Sequence, residues 1–150
     1  MRESVKAQKA LDYFNQGFNC AQSVFTAFHE EMGLSESDAL KLSSSMGGGI
    51  GGLREVCGAF CGLSMVLGAL KGYDTPTDME AKKEHYARIQ AQAERFTTEH
   101  GTLICRDLLA SHGLVATRVP AERNADYYKA RPCARYVESC AMMAEETLQA

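Results

Sequence analysis

Residues 46–62 read MGGGIGGLREVCGAFCG, and no other stretch of the chain departs so far from ordinary helix chemistry. Each glycine in a helix interior costs about 1 kcal/mol relative to alanine, so Gly58, Gly62 and Gly68 need a reason to lie in an otherwise apolar helix. We expect two reasons: close approach of another backbone, which the G-x-x-x-G spacing permits, and a site that needs room beside its thiols. The stretch predicts a glycine-rich loop that leads into a helix at about 53–71.

Helix signals lie on both sides of this stretch. Asn19 and Ser35 are residue types that cap helix N-termini, and Gly33 and Gly72 are of the type at which helices end. Apolar residues recur at helical spacing, with no competing β-type alternation. The predicted helices span residues 4–16, 19–32, 35–45, 53–71, 78–100, 103–112 and 132–148, with a turn of helix at 126–131. We expect an all-α, single-domain bundle of about six to seven helices over residues 1–150, with the glycine-rich loop between helices 3 and 4.

Charge and composition exclude several classes of partner. The net charge of −3 provides no electrostatic basis for binding nucleic acid or an anionic membrane surface. No apolar run is long enough to insert into a membrane, and residues 1–6 lack the apolar core of a signal peptide. We therefore expect a cytoplasmic protein.

The chain has six cysteines, and in a reducing compartment this number favours metal binding or redox chemistry over a disulfide framework. For any single one of them, however, a small buried apolar residue is the simpler interpretation. Cys57 and Cys61 would share a helix face with Cβ atoms about 5–6 Å apart, whereas a disulfide needs roughly 3.5–4.5 Å. Cys133 and Cys140 would lie about 10 Å apart along one helix. Any cluster of thiols must therefore be assembled by tertiary packing.

Cys57 is the strongest candidate for a reactive or ligating sulfur on local grounds. It falls in the first turn of the predicted fourth helix, where free N–H groups stabilise a thiolate, and Arg54 precedes it by three residues. A phosphate cradle in the glycine-rich loop is disfavoured, because the loop follows a helix and does not match G-x-x-x-x-G-K-S/T. The loop residues are instead expected to line a cofactor site beside the thiols: Gly48, Gly49, Gly51, Gly52 and Arg54. The Tyr127-Tyr128 and Arg131-Pro132-Cys133 segments could line an opening, although loop packing is the simpler interpretation.

Several short motifs follow one another in a fixed order. They are GFNCAQ at 17–22, GGG at 47–49, GLR at 52–54, CGAFCG at 57–62, HGT at 100–102, CRDLL at 105–109, PC at 132–133 and YV at 136–137. Together they resemble the C-GCAxxG-C-C family, small bacterial and archaeal proteins described as redox-active, over nearly the whole chain. The resemblance implies that the catalytic or metal-ligating cysteines are Cys20, Cys57, Cys105 and Cys133. Cys61 and Cys140 fall outside that set.

The resemblance implies a redox protein, and two versions of its chemistry remain open. A related domain occurs in a cytochrome associated with an iron–sulfur centre, and four thiolates suffice for a 2Fe–2S or 4Fe–4S cluster that would transfer electrons. In the second version Cys57 attacks and a cysteine on another helix resolves the intermediate as a disulfide. The partner would be a redox protein or a small-molecule electron donor or acceptor.

A zinc-binding or structural module that acts through protein partners is the alternative function. Zinc is less favoured because the chain lacks C-x-x-C pairs, and haem attachment is not predicted because no C-x-x-C-H occurs. The G-x-x-x-G face could serve a homodimer or pack internally. All the redox hypotheses share one structural requirement, which is that folding gathers the distant sulfurs into a common pocket beneath the glycine-rich bend.

Overall fold

The computed structural model describes residues 4–150. Residues 1–3, which belong to the predicted domain and to the N-terminal segment considered above, lie outside the described residues. The α-helices are α1 Val5–Asn15, α2 Cys20–Thr26, α3 Glu36–Ser43, α4 Gly58–Lys71, α5 Met79–His100, α6 Cys105–Ala110, α7 Ala125–Ala130 and α8 Cys133–Gln149, and a 3-10 turn spans Ser44–Met46. The predicted all-α class is confirmed. The described part of the chain has eight α-helices, not six or seven, because the short segment before Cys133 forms a complete capped helix, α7.

Side-chain caps define several of these helix starts, as the sequence predicts. Asn19 Oδ1 accepts from Gln22 N at 2.8 Å while Gln22 Oε1 accepts from Asn19 N at 3.1 Å, which is a complete capping box at the start of α2. Ser35 Oγ caps α3, and Asn124 Oδ1 caps α7 by accepting from Tyr127 N at 2.9 Å. The start of α2 is therefore fixed locally, which fixes the direction of the thiol at its first residue, Cys20.

The core forms where α8 packs against α1, α2 and α4, and where α2 lies along α4. The glycines of α4 allow that second contact. A Cβ atom at Gly62 would lie 2.9 Å from Ala21 O, and one at Gly58 would lie 3.0 Å from Met46 O. Close packing therefore accounts for these two glycines, and the G-x-x-x-G face is occupied within the chain by α2 and the 3-10 turn. Gly68 has nothing within 4 Å of its Cβ position, so packing does not explain it.

The fourth helix begins at Gly58, five residues later than predicted, because a short extended segment precedes it. Val56 and Ile104 form an isolated antiparallel bridge, the one β-type pairing in residues 4–150. Cys57 N donates to Leu103 O at 2.7 Å, and Cys105 N donates to Glu55 O at 2.6 Å. These bonds satisfy backbone groups that a helix would otherwise use, and they hold Cys57 beside the chain that leads to Cys105.

Within residues 4–150, no helix combines the length and the apolarity that spanning a bilayer requires.

Candidate functional site

The glycine-rich loop is a left-handed turn. Residues 48–52 all have positive φ, between 56° and 78°, and four of these five are glycines. For other L-residues this conformation costs roughly 1–2 kcal/mol each, so the loop needs glycine at most positions. The backbone N–H groups of residues 50–55 all donate to carbonyls of the loop itself or of the turn before it. These six N–H groups are not available to hold a phosphate, so this part of the loop forms a wall of the cavity and not an anion cradle.

The four cysteines that the sequence singles out all lie at helix starts. Cys20, Cys105 and Cys133 are the first residues of α2, α6 and α8, and Cys57 immediately precedes α4. All four line one cavity of about 460 Å³. The glycine-loop residues Gly48, Gly49, Gly51, Gly52 and Arg54 line the same cavity. The structure thus brings together every residue that the sequence placed in the candidate site.

Cys20 and Cys133 both line this cavity, close enough for each thiol to shift the pKa of the other. Hydrogen bonding by the Cys20 thiol is the largest influence that lowers the pKa of Cys133, to about 7, against the opposing effect of burial. The guanidinium groups of Arg131, Arg123 and Arg54 lower the same pKa further. The hydrogen bond and burial raise the pKa of Cys20 well above its ordinary value. Of the two thiols, Cys133 therefore loses its proton first, while Cys20 keeps its proton.

Cys57 does not carry the most stabilised thiolate, contrary to the expectation from its position. Burial raises its pKa to about 12, although the backbone N–H groups of Phe60 and Ala59 oppose the shift. The side chain is only 4% exposed, so loss of solvation outweighs the helix N-terminus. Arg54 does not compensate, because its Nη1 donates to Cys105 Sγ, 3.7 Å away.

Cys105 stays protonated despite that contact. Burial raises its pKa, and the hydrogen bond and charge of Arg54 reduce the shift without reversing it. Arg54 is itself fixed, because its Nε donates to Thr117 O at 2.8 Å. This bond ties the glycine loop to the segment at 111–124, which forms another wall of the cavity.

Cys61 and Cys140 do not line the cavity. Cys61 is half-buried and donates to Val56 O at 3.8 Å, and burial raises its pKa. Cys140 is fully buried in the core, where burial raises its pKa well above the ordinary value. Both behave as small apolar residues, which is the simpler of the two interpretations available for any single cysteine.

The cavity also contains charged and aromatic residues that were not among the predicted site residues. They are Arg118, Arg123, Tyr127, Arg131 and Tyr136. Arg131 and Tyr127 belong to segments for which the sequence favoured loop packing. Arg118 and Arg123 lie in an irregular segment between α6 and α7 that has no periodicity. Only the adjacency of Arg131 to Cys133 carried a usable signal, because a guanidinium beside a cysteine favours its thiolate.

The cysteines of the cavity do not converge as the ligands of a metal ion would. Within residues 4–150 no group of three or more His, Cys, Asp or Glu side chains is placed so that it could hold a metal ion. Structural zinc and iron–sulfur sites need three or four ligands that converge on the metal. The four cavity cysteines share a cavity but not a coordination geometry, so they do not fit such a group as arranged.

Comparisons with known proteins agree with these motifs. The family model described as "Putative redox-active protein (C_GCAxxG_C_C)" matches residues 18–147. The chain is also similar to an uncharacterized protein of Archaeoglobus fulgidus, with 27% identity over 124 residues, covering 77% of this chain and 82% of that protein. No solved structure matches the chain. The family match includes all four cysteines of the cavity.

Proposed function

Since this chain belongs to the C_GCAxxG_C_C family, we propose that it performs thiol–disulfide exchange, with Cys133 as the attacking thiolate and Cys20 as the resolving thiol. One observation carries the proposal, namely that Cys20 and Cys133 line the same cavity, where Cys20 and three arginines lower the pKa of Cys133. A thiolate attacks disulfides, and its most effective pKa lies near ambient pH. Cys133 has such a pKa, about 7.

The proposed reaction has two steps. The thiolate of Cys133 attacks one sulfur of a substrate disulfide, which forms a mixed disulfide on Cys133 and releases the other sulfur as a thiolate. Cys20 then loses its proton to that thiolate or to water, attacks the sulfur of Cys133, and releases the second substrate thiol. The protein dithiol loses two electrons and the substrate disulfide gains them.

The neighbourhood of Cys133 suits both steps. Before attack, three guanidinium groups and the Cys20 thiol stabilise the negative charge on Cys133. After attack that charge is gone, and its influence on the proton of Cys20 is lost with it. The pKa of Cys20 then falls, because the interaction with Cys133 is the largest cause that raises it. The resolving thiol therefore becomes more acidic when it is needed.

The cluster version of the redox hypothesis is less well supported by the geometry. Among residues 4–150 the side chains that could ligate iron or zinc do not converge in groups of three. The same observation applies to the alternative of a zinc-binding module. The proposed reaction uses no metal. Analysis of iron and acid-labile sulfide distinguishes it from the cluster version.

The test begins with purification without oxygen, followed by iron and acid-labile sulfide analysis. The protein is then oxidised, its remaining thiols are alkylated, and its peptides are mapped by mass spectrometry. We expect no stoichiometric iron or sulfide and one disulfide, between Cys20 and Cys133. Iron and sulfide at cluster stoichiometry, alkylation of all six thiols after oxidation, or a disulfide at other positions would contradict the proposal.

Two serine variants provide the matched comparison. Cys133→Ser should abolish the disulfide and the consumption of a small disulfide substrate. Cys140→Ser, on the same helix and buried in the core, should retain both, because its sulfur does not line the cavity. Cys57→Ser tests whether Cys57 is the reactive thiol, as its position at a helix start predicted. We expect this variant to keep the Cys20–Cys133 disulfide.

A further inference from the structure

The cavity is cationic although the chain as a whole is acidic. The net charge of the chain is −3, yet four arginines line the cavity: Arg54, Arg118, Arg123 and Arg131. None of the cavity's lining residues, all within residues 4–150, is an aspartate or a glutamate. Positive charge that no neighbouring carboxylate neutralises attracts an anion from solution.

Arg123 is held between two aromatic rings. Its guanidinium lies 4.1 Å from the ring centroid of Tyr127 and 5.3 Å from that of Phe14. Its Nη1 atom is buried and has no hydrogen-bond partner within the described part of the chain. A buried donor on a charged group that lacks a partner is unfavourable, and an acceptor on a ligand would relieve that cost.

Arg131 lies over the same aromatic ring, 4.9 Å from its centroid. Stacking on Tyr127 holds the two guanidinium groups in place before any ligand arrives. Tyr127 itself cannot neutralise them at ordinary pH, because burial raises its pKa to about 12. Fixed guanidinium groups match the geometry of a carboxylate, to which arginine can bind with two parallel hydrogen bonds.

The size of the cavity and the burial of Cys133 limit what can reach the sulfur. Cys133 is 9% exposed, and the loop at 111–124 forms a wall beside it. This low exposure favours a small disulfide over the disulfide of a folded protein as the substrate. A volume of about 460 Å³ lies within the range typical of small-molecule sites, about 300–1,000 Å³.

Resting on the thiol exchange proposed above, we propose that the oxidant of Cys133 is a small-molecule disulfide that carries carboxylate groups, which Arg123 and Arg131 bind. The carboxylates place the S–S bond beside Cys133. The thiolate attacks one sulfur, Cys20 resolves the mixed disulfide, and two carboxylate-bearing thiols leave with the two electrons of the dithiol.

Three disulfides of similar size test the charge preference. They are 3,3′-dithiodipropionate with two carboxylates, 2-hydroxyethyl disulfide with no charge, and cystamine with two ammonium groups. The rate at which each disulfide oxidises Cys133 is divided by the rate at which the same disulfide reacts with free 2-mercaptoethanol. This normalisation removes differences in intrinsic reactivity among the three disulfides. We expect the dianion to exceed the uncharged disulfide by about tenfold or more, and the dication to be slower than both. Equal normalised rates, or a preference for the dication, would overturn the inference.

Arginine variants locate the preference. Arg123→Gln and Arg131→Gln should each reduce the ratio of the dianion rate to the uncharged rate by about threefold or more. The ratio within one protein is used because any change in the pKa of Cys133 affects both rates equally. Arg135→Gln is the matched control: it removes the same charge from an exposed position in the first turn of α8, outside the cavity, and should leave the ratio within about twofold. A ratio that falls equally in all three variants would contradict the assignment to Arg123 and Arg131.

Ligand binding measured in a variant that cannot perform thiol exchange separates this inference from the proposed function. In Cys133→Ser the attacking sulfur is absent, and calorimetric titration with 3,3′-dithiodipropionate should still show one site, weakened by Arg131→Gln and not by Arg135→Gln. Binding there, with no thiol exchange in the wild-type protein, would refute the proposed function and leave the anion site standing. Exchange in the wild type without binding or charge preference would refute the anion site alone.

Discussion

At Cys133 three influences act on the thiolate, and they do not all have the same sign. The hydrogen bond from Cys20 and the charges of Arg131, Arg123 and Arg54 stabilise it, while burial opposes it. At Cys57 burial also opposes the thiolate, but only backbone N–H groups act on the other side. The difference between these two buried thiols comes from side-chain donors and charges, which are worth more than the ends of backbone dipoles in a poorly solvated site.

This difference predicts the pH dependence of alkylation. Below the pKa of Cys133, about 7, its rate of reaction with iodoacetamide should rise about tenfold per pH unit, because only the thiolate reacts. Above that pKa the rate should level off as the thiolate becomes fully populated. Peptide mapping by mass spectrometry after brief labelling measures each site separately. A midpoint near the value of an unperturbed thiol, about 8.5, would contradict the assignment.

The influence of Cys20 on the pKa of Cys133 can be tested by removing the Cys20 thiol. Cys20→Ala removes the largest influence that lowers the pKa of Cys133, so the alkylation midpoint should move upward toward that of an ordinary thiol. Cys61→Ala serves as the control, because Cys61 lies outside the cavity and is not among the groups that perturb Cys133. An unchanged midpoint in Cys20→Ala would show that the arginines alone stabilise the thiolate.

At the scale of elements, the glycine loop and the bridge between Val56 and Ile104 act together. The loop reverses the chain through a left-handed turn, and the bridge then fixes the extended segment that ends at Cys57. Arg54, which joins the two, has a φ of 61°, a conformation unfavourable for a residue with a side chain. Its N–H donates to Gly48 O and its carbonyl accepts from Arg106 N, so hydrogen bonds on both sides hold it there.

Two glycine variants should change stability in opposite directions. At Gly49, with a φ of 70°, an added Cβ would lie 2.6 Å from Glu55 N, so Gly49→Ala should lower the free energy of unfolding by about 2 kcal/mol or more. At Gly68, inside α4, an added Cβ meets nothing within 4 Å, so Gly68→Ala should raise it by about 1 kcal/mol. Urea denaturation followed by circular dichroism measures both. Similar stabilities for the two variants would show that the loop does not contribute to the cooperative fold.

On the scale of the whole molecule, local signals predicted the helices well but could not predict how the site is assembled. Capping residues such as Asn19 and Ser35 act within a few residues of themselves, so the sequence reveals them directly. The late start of α4 depends on pairing with a segment almost fifty residues away, which leaves no local pattern. The resemblance identified the four cysteines as a set. Which of them is acidic depends on the contact between Cys20 and Cys133 and on arginines from an irregular loop.

The same long-range contact predicts that oxidation stabilises the fold. A disulfide between Cys20 and Cys133 would join the first residues of α2 and α8, more than a hundred residues apart in sequence. Closing a loop of that length in the unfolded chain raises the free energy of unfolding by up to about 4–5 kcal/mol in the chain-entropy model. The two thiols line the same cavity and shift each other's pKa, so we expect the bond to form with a local shift that preserves much of that gain. The unfolding midpoint of the oxidised protein should therefore exceed that of the reduced protein in urea, and Cys133→Ser should show no such difference. An oxidised form less stable than the reduced form would mean that forming the bond strains the junction of the two helices.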